Sequence, residues 1–315
     1  MMPLTIHITD QIYPGAVAQV EAAAPTAIVR NFTSQEEFEA AIEEADIVAT
    51  VHLSRQALAR AKRLKWLQSW AAGPDHTLTP ELIASPVLVT SAKGNGAIPL
   101  AEHAMMLMLM LDRDMLRSFR AQAEGKWDRF FHGELNGKTC GIIGTGNSGV
   151  DLALKAKAFH MRVLGLRRGT QVPPHFDRMF TRSQLREFLA ECDFVVMTAP
   201  LTPETQGMIG REEFAAMKPA AYYVCISRGG IADDDALYEA LRTRQIAGAG
   251  LDAHAVEPLV GDNRFRDLDN VIITPHHGAA TMDSRRRAVE IFADNVRRFT
   301  AGEPLVNLVD KRAGY

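Results

Sequence analysis

Three apolar stretches of this chain end in groups that can move a proton or hold an anion. Val224-Cys225-Ile226 runs into Ser227-Arg228-Gly229-Gly230. Gly250-Leu251 runs into Asp252 and then Glu257-Pro258. Val271-Ile272-Ile273 runs into Thr274-Pro275-His276-His277-Gly278. An imidazole such as His276 can deliver a proton to a carbonyl oxygen while hydride reaches the carbon. A carboxylate beside it, Glu257, favours the imidazolium. Arg228 offers a fixed cation that can grip a substrate carboxylate and polarise the carbonyl. Ligands of open α/β sheets bind outside the carboxyl ends of the strands, so the three groups are expected to share one crevice.

These groups gain weight from what precedes them. Thr139-Cys140-Gly141-Ile142-Ile143 is a short apolar strand that runs into Gly144-Thr145-Gly146-Asn147-Ser148-Gly149, with glycines at GxGxxG spacing. A helix follows from Val150 to Phe159, and then a strand from Arg162 to Leu166. In that context Gly144 makes the tight turn, Gly146 lets a pyrophosphate approach the backbone, and Gly149 lets helix and strand pack closely. The free N–H groups and positive end of the helix face the phosphates. An NAD-specific site needs an acidic residue at the end of the second strand. This chain has Arg167 and Arg168 there, two guanidinium groups suited to a 2′-phosphate. NADP(H) is therefore the preferred cofactor expected, with NAD(H) possible.

The elements that must carry these groups are legible as alternation. Leu4–Ile8, Ala45–Thr50, Leu64–Trp70 and Val87–Thr90 read as strands, and Gln35–Glu44 reads as a helix opened by Ser34 with Glu37 in a capping box. Near Pro99 a long helix begins, running to about Glu124, and a Gly-bearing aromatic stretch leads to a second strand–helix series from Thr139 to about Pro275. A last helix, Ser284 to about Thr300, returns apolar residues at Ala288, Ile291, Phe292, Val296 and Phe299. Strands separated by helices predict parallel sheets, here in two α/β domains. The Met105–Met110 run inside the long helix reads as packing, since methionine fills irregular gaps. The sequence alone does not decide whether Trp66, Trp70, Phe130 and Phe131 line a pocket or an interface.

Composition narrows the classes. The 315 residues carry 35 Lys+Arg against 38 Asp+Glu, which leaves no basic excess for nucleic acid. At 47% apolar and 23% charged the chain is an ordinary globular one. The uncharged run Ala104–Leu111 is far short of a membrane span. Three separated cysteines, Cys140, Cys192 and Cys225, argue against a disulfide framework and fit a reducing compartment. A soluble, cytoplasmic protein with no nucleic-acid or membrane partner is expected. No metal is expected either, because the adjacent His276 and His277 splay apart at a strand end and no third ligand is evident.

The motifs taken together resemble the D-isomer-specific 2-hydroxyacid dehydrogenase family. The matching segments are Ala101-Glu102-His103, Gly133–Thr139, Gly144–Gly149, Pro200-Leu201-Thr202-Pro203-Glu204-Thr205, Ser227–Gly230, Leu251-Asp252 with Glu257-Pro258, and Thr274-Pro275-His276. The resemblance implies two Rossmann-like doubly wound parallel-sheet domains with the active site in the cleft between them. Residues 1–98 form the first part of the substrate domain, residues 99–284 the dinucleotide-binding domain, and residues 285–315 the helix and tail that return to the substrate domain. It implies Arg228, Glu257 and His276 as catalytic residues, and backbone at Ala72 and Gly73 on the substrate carboxylate with Arg228 and His276. Ala199, Pro200, Thr205, Ile226, Ser227, Arg228, Asp252, His276 and Gly278 are implied at the nicotinamide end of the cofactor. A homodimer is implied as well, with about Phe119 to Leu135 in its interface.

The chain departs from the family pattern at two positions. Cys225 stands where the family commonly has Asn, and Arg167 replaces its commoner acidic residue, as in the NADP-preferring glyoxylate and hydroxypyruvate reductase branch. The expected activity is thus reduction of a small 2-keto acid to the D-2-hydroxy acid with NADP(H). Oxidation of another small anion such as phosphite on the same fold, or a non-catalytic NADP(H)-sensing regulator, are the alternatives. Formate is disfavoured because formate dehydrogenases carry Gln where this chain has Glu257.

Overall fold

Alternating apolar strands and capped helices build two parallel sheets. The computed structural model describes residues 3–9, 15–169, 171–261 and 263–314. The chain groups into two compact units, Met1–Gly96 with Ala280–Tyr315, and Ala97–Ala279. The breaks fall at Gly96 and Ala280 rather than after residues 98 and 284, because each bordering helix belongs whole to one unit.

The first unit runs β1 (Thr5–Thr9), α1 (Ala16–Ala23), β2 (Ile28–Phe32), α2 (Gln35–Ala40), β3 (Ile47–Thr50), α3 (Arg55–Arg60), β4 (Trp66–Ser69), α4 (Pro80–Ala84) and β5 (Leu88–Ser91). Its strands are parallel in the order β2-β1-β3-β4-β5, the flavodoxin-like form of a doubly wound sheet. Ser34, Ser54 and Thr79 each accept from the backbone N–H three residues on, which opens α2, α3 and α4. Strand β2 had no sequence signal. It is an edge strand with no buried residue, so the apolar alternation that marks the other strands is missing.

The second unit begins with α5 (Ala97–Asp112) and α6 (Met115–Ala123). The single helix expected over Leu100–Glu124 is therefore two. Asp114 adopts a left-handed backbone, φ +48°, and its side chain caps the new helix by accepting from Arg117 N. Then come β6 (Thr139–Ile143), α7 (Asn147–Ala158), β7 (Arg162–Leu166), β8 (Arg178–Phe180), α8 (Leu185–Glu191), β9 (Phe194–Met197), α9 (Arg211–Ala216), β10 (Tyr222–Cys225), α10 (Asp234–Arg242), β11 (Gly248–Leu251) and β12 (Val271–Ile273). The parallel order β12-β11-β10-β9-β6-β7-β8 switches direction between β6 and β9, the place where such sheets open a crevice. Met105 and Met108 of α5 are buried with Leu107, Ile142, Val196 and Val224 beneath this sheet.

The last helix, α11 (Met282–Ala301), is capped by Thr281 and returns to the first unit. There Trp66, fully buried, meets Phe292 and Phe299 at ring-centroid distances of 5.4 and 5.6 Å, and its indole N–H donates to Thr90 Oγ1 at 2.7 Å. Trp66 is thus a core residue. Among the described residues, no helix is long and apolar enough to cross a membrane.

One core residue sets an acid limit. His7 on β1 is fully buried against Phe32, and among the described residues neither ring nitrogen has a hydrogen-bond partner. Burial, helped by the Arg30 guanidinium, lowers its pKa to about 4. The unfolded chain therefore binds a proton that the folded one refuses. Stability is complete above the free-histidine range and falls as pH drops from about 6.5 towards about 4, a loss of about 3 kcal/mol. His7→Leu should remove this component. Urea midpoints at pH 7 and pH 4.5 should diverge less in the variant than in the parent, and equal divergence would exclude His7 as the cause.

Candidate functional site

The glycine loop sits at the carboxyl end of β6, at the switch point of the sheet. Gly144 holds φ +96°, and a Cβ there would lie 2.5 Å from Ala199 N and 2.7 Å from its Cα. Thr198 Oγ1 donates to the Gly144 carbonyl. A methyl on Gly149 would run into that same carbonyl oxygen. Gly146, by contrast, has nothing within 4 Å of where its Cβ would be, so the space above it is open. It is the N-cap of α7 and supplies no side-chain cap, which leaves the N–H groups of the first turn, at Asn147 and Ser148, unspent on a cap. Thr145 Oγ1 is buried here without a hydrogen-bond partner among the described residues. Open space over Gly146, uncapped donors and an orphaned hydroxyl fit a dinucleotide pyrophosphate.

Arg167 and Arg168 follow β7 directly, as the spacing predicted. A carboxylate from a distant segment stands beside them. Glu204, from the segment after β9, pairs with Arg168 Nη1 at 3.3 Å, both side chains being exposed. Sequence spacing around Arg168 could not show a carboxylate brought in by a distant loop. That loop is stapled by Thr205, whose hydroxyl donates to Pro200 O at 2.7 Å and accepts from Thr202 N at 2.8 Å. Ala199 is buried against Gly144.

At the ends of β11 and β12 the structure joins two carboxylates to two histidines. Asp252 is fully buried. Its Oδ1 accepts from Thr274 Oγ1 at 2.7 Å and His277 N at 3.1 Å, and its Oδ2 accepts from Gly278 N at 3.0 Å. His103 Nε2, from α5, lies 3.4 Å from Asp252 Oδ1 and 3.0 Å from Thr274 Oγ1. Burial pushes the Asp252 carboxyl up, but the His103, Thr274 and Gly278 contacts outweigh it and hold it well below the usual carboxylate range. Between the anchored Thr274 and His277, His276 adopts a left-handed backbone, φ +50°. Its Nδ1 lies 2.7 Å from Glu257 Oε2. The other oxygen of Glu257 accepts from His254 N at 2.8 Å, and His254 Nε2 contacts Thr274 O at 3.1 Å. Burial raises the Glu257 pKa, while the His254 N–H and His276 lower it by more, so the group sits below the ordinary range.

Arg228 follows β10 in a turn held from two sides. Its Nη1 donates to Ser227 O at 2.9 Å. Its own carbonyl accepts from Cys225 Sγ at 3.3 Å, and Ile226 N donates to Met197 O at 3.3 Å. Cys225, which the sequence left without a role, therefore ties the Arg228 carbonyl to the end of β10. Gly229 packs on the His254–Ala255 backbone so closely that a Cβ would overlap it, which seats the Arg228 turn on the segment leading to Glu257. Ala72 and Gly73 lie just after β4 in the first unit. His103 was visible in sequence only as part of a family motif, and Thr274 and Cys225 carried no local signal for the contacts they make.

The packing of Gly149 makes a test. Gly149→Ala must displace the Gly144 carbonyl and with it the loop, so affinity for NADPH should fall by roughly 10-fold or more. Titration of NADPH fluorescence measures it, and parental affinity would show that the loop does not bind the cofactor.

Comparison with known proteins agrees with this geometry. The family model described as D-isomer specific 2-hydroxyacid dehydrogenase, NAD binding domain, matches residues 105–278. The D-3-phosphoglycerate dehydrogenase of Methanocaldococcus jannaschii is 33% identical over 317 residues; the match covers 97% of this chain but only 59% of that protein's length. The glyoxylate reductase of Pyrococcus furiosus is 34% identical over 282 residues, 86% of this chain and 84% of that protein. Among solved structures, the NADPH-dependent glyoxylate/hydroxypyruvate reductase of Sinorhizobium meliloti, in complex with NADP and sulfate, aligns with a TM-score of 0.85 at 28% identity, covering 99% of this chain and 100% of that one. The chain belongs to the D-isomer specific 2-hydroxyacid dehydrogenase family.

Proposed function

We propose that this protein is an NADP(H)-dependent reductase that converts a small 2-keto acid, such as glyoxylate or hydroxypyruvate, to the D-2-hydroxy acid. The observation that carries the proposal is the 2.7 Å contact between His276 Nδ1 and Glu257 Oε2 at adjacent strand ends of the unit that bears the glycine loop. Bound dihydronicotinamide supplies the hydride. With Nδ1–H engaged by Glu257, the imidazolium presents Nε2–H to the carbonyl oxygen and gives up its proton there as the alkoxide forms. Glu257 stays anionic, because its carboxyl is held below the usual range, and so remains an acceptor for His276 Nδ1–H. Arg228, in its anchored turn, binds the substrate carboxylate and draws charge from the carbonyl.

The preference for NADP(H) is supported by Arg167 and Arg168 at the end of β7 and by the NADP held in the Sinorhizobium meliloti relative. Glu204 offsets part of the charge of Arg168, so Arg167 carries the larger share of 2′-phosphate recognition. Asp252, Ile226, Ser227, Pro200, Thr205 and Gly278 are assigned to the nicotinamide end. A homodimer is supported by Trp127 and Phe131, which stand 93% and 105% exposed on the segment between α6 and β6.

Oxidation of NADPH and NADH, followed in parallel with glyoxylate, hydroxypyruvate, pyruvate and phenylpyruvate, tests the activity. Turnover with the small acids and NADPH is expected; tight NADPH binding with no acid reduced would overturn the reductase assignment. His276→Ala should lower kcat by about 10² to 10⁴, and near-parental turnover would mean that another group donates the proton. Arg167→Asp should shift the NADPH/NADH ratio of kcat/KM towards NADH by roughly 10- to 100-fold, the loss of a charge-assisted contact. An unchanged ratio would remove Arg167 from the cofactor site.

A further inference from the structure

His276 and His277 splay apart, but the tertiary structure gives His277 partners that its sequence neighbours do not. His276 turns to Glu257, whereas the His277 ring stands edge-on to His103 at 5.4 Å between centroids, with the planes at 90°. His103, Asp252 and His277 thereby place one ligand atom each within 4.8 Å of one another. We infer that these three side chains form a binding site for a divalent transition cation of the zinc class, and that its occupation excludes the nicotinamide cofactor. The second half of the inference rests on the assignment of Asp252 and Gly278 to the nicotinamide end.

The donor set and its spacing carry the first half. Two imidazoles and one carboxylate are the ligand types zinc takes in sites that keep a fourth position open. Zinc bonds of about 2.0–2.2 Å with tetrahedral angles put neighbouring donor atoms about 3.4 Å apart. His103 Nε2 and Asp252 Oδ1 already stand 3.4 Å apart. Both are held in place: Asp252 by Thr274, His277 N and Gly278 N, and His103 by its place on α5 and its contact with Thr274 Oγ1 at 3.0 Å. The exposed third ligand, His277, closes the remaining gap by a side-chain rotation of about an ångström or two. The Thr274 hydroxyl, in contact with both fixed donors, gives way to the cation or turns its oxygen towards it. Cysteine, the ligand most apt to capture zinc elsewhere, is out of reach, since Cys140, Cys192 and Cys225 are all buried.

A cation there would stand against the Asp252 carboxylate and beside Gly278, whose Cβ position is crowded by Asp252, Leu100 and His103. Because the nicotinamide end is assigned to the same Asp252 and Gly278, a cation held there competes with it. Free zinc would then act as a brake released by NADPH, a coupling that must be reciprocal.

The test is calorimetric titration of the full chain with Zn2+ alone, then with saturating NADPH, with the visible bands of tetrahedral Co2+ as a second readout. The parent should bind one ion at this site and show the tetrahedral spectrum. His277→Leu, which keeps the backbone N–H to Asp252, should weaken binding at least about 100-fold, more than loss of an outer-shell partner costs. His103→Gln should do the same while retaining a donor for Asp252. NADPH should weaken zinc binding at least about 10-fold in the parent. Zinc affinity unchanged in both variants overturns the site and leaves the reductase assignment standing. Binding that both variants abolish but NADPH leaves untouched overturns the exclusion and displaces Asp252 from the nicotinamide end.

Discussion

The candidate site depends on one buried carboxylate. A charge without solvent is costly unless its lone pairs are met by donors. Asp252 meets this condition with the Thr274 hydroxyl and the backbone N–H groups of His277 and Gly278, while His103 stands alongside. These donors belong to α5 and to the turn after β12, so satisfying Asp252 fixes both relative to β11. The left-handed backbone of His276 lies between two of these anchor points. Histidine tolerates that region better than most residues, and the flanking bonds to Asp252 over-determine it. The imidazole is therefore aimed by the backbone before Glu257 touches it.

Glu257 has the complementary task. It leaves the strand end five positions after Asp252, yet its side chain is about one-third exposed and its oxygens divide between His254 N and His276 Nδ1. Both carboxyls are held anionic, one by buried donors within the sheet end, the other by a backbone amide and a histidine at the surface. Environment thus gives two carboxylates of one segment different settings, one enclosed within the sheet end and one paired with a histidine at the surface. Cys225 and Gly229 do for Arg228 what Asp252 does for His276: a thiol contact and a close backbone approach hold the turn in place.

The glycine loop works by sterics. Gly144 and Gly149 are required because a Cβ would collide with Ala199 and with the Gly144 carbonyl, whereas Gly146 leaves open space. Two glycines let strand and helix come together, and the third leaves the approach clear. Because these strands are all parallel, the opening at the switch between β6 and β9 lies at the same carboxyl end of the sheet as the ends of β10, β11 and β12.

Features that rest on local physics were legible in the sequence. The glycine spacing, the strand before it and the arginines after β7 follow from steric and charge rules that act over a few residues. So does the Ser34 cap, whereas the Ser54 and Thr79 caps went unread. Arg228 and His276 stood out as candidates because each closely follows an apolar run, and Glu257 because it comes shortly after another. What tertiary structure alone decided involves partners far apart in the chain: His103 with Thr274, 171 positions away, and Glu204 with Arg168. The exposed edge strand β2 and the break at Asp114 were also hidden, the first because solvent removes the pressure for apolar alternation, the second because one left-handed residue leaves no periodic trace. Residue type and spacing set what each segment can do. Only the packing of distant segments sets which charges share a buried space, because that depends on desolvation and contact rather than on sequence neighbours.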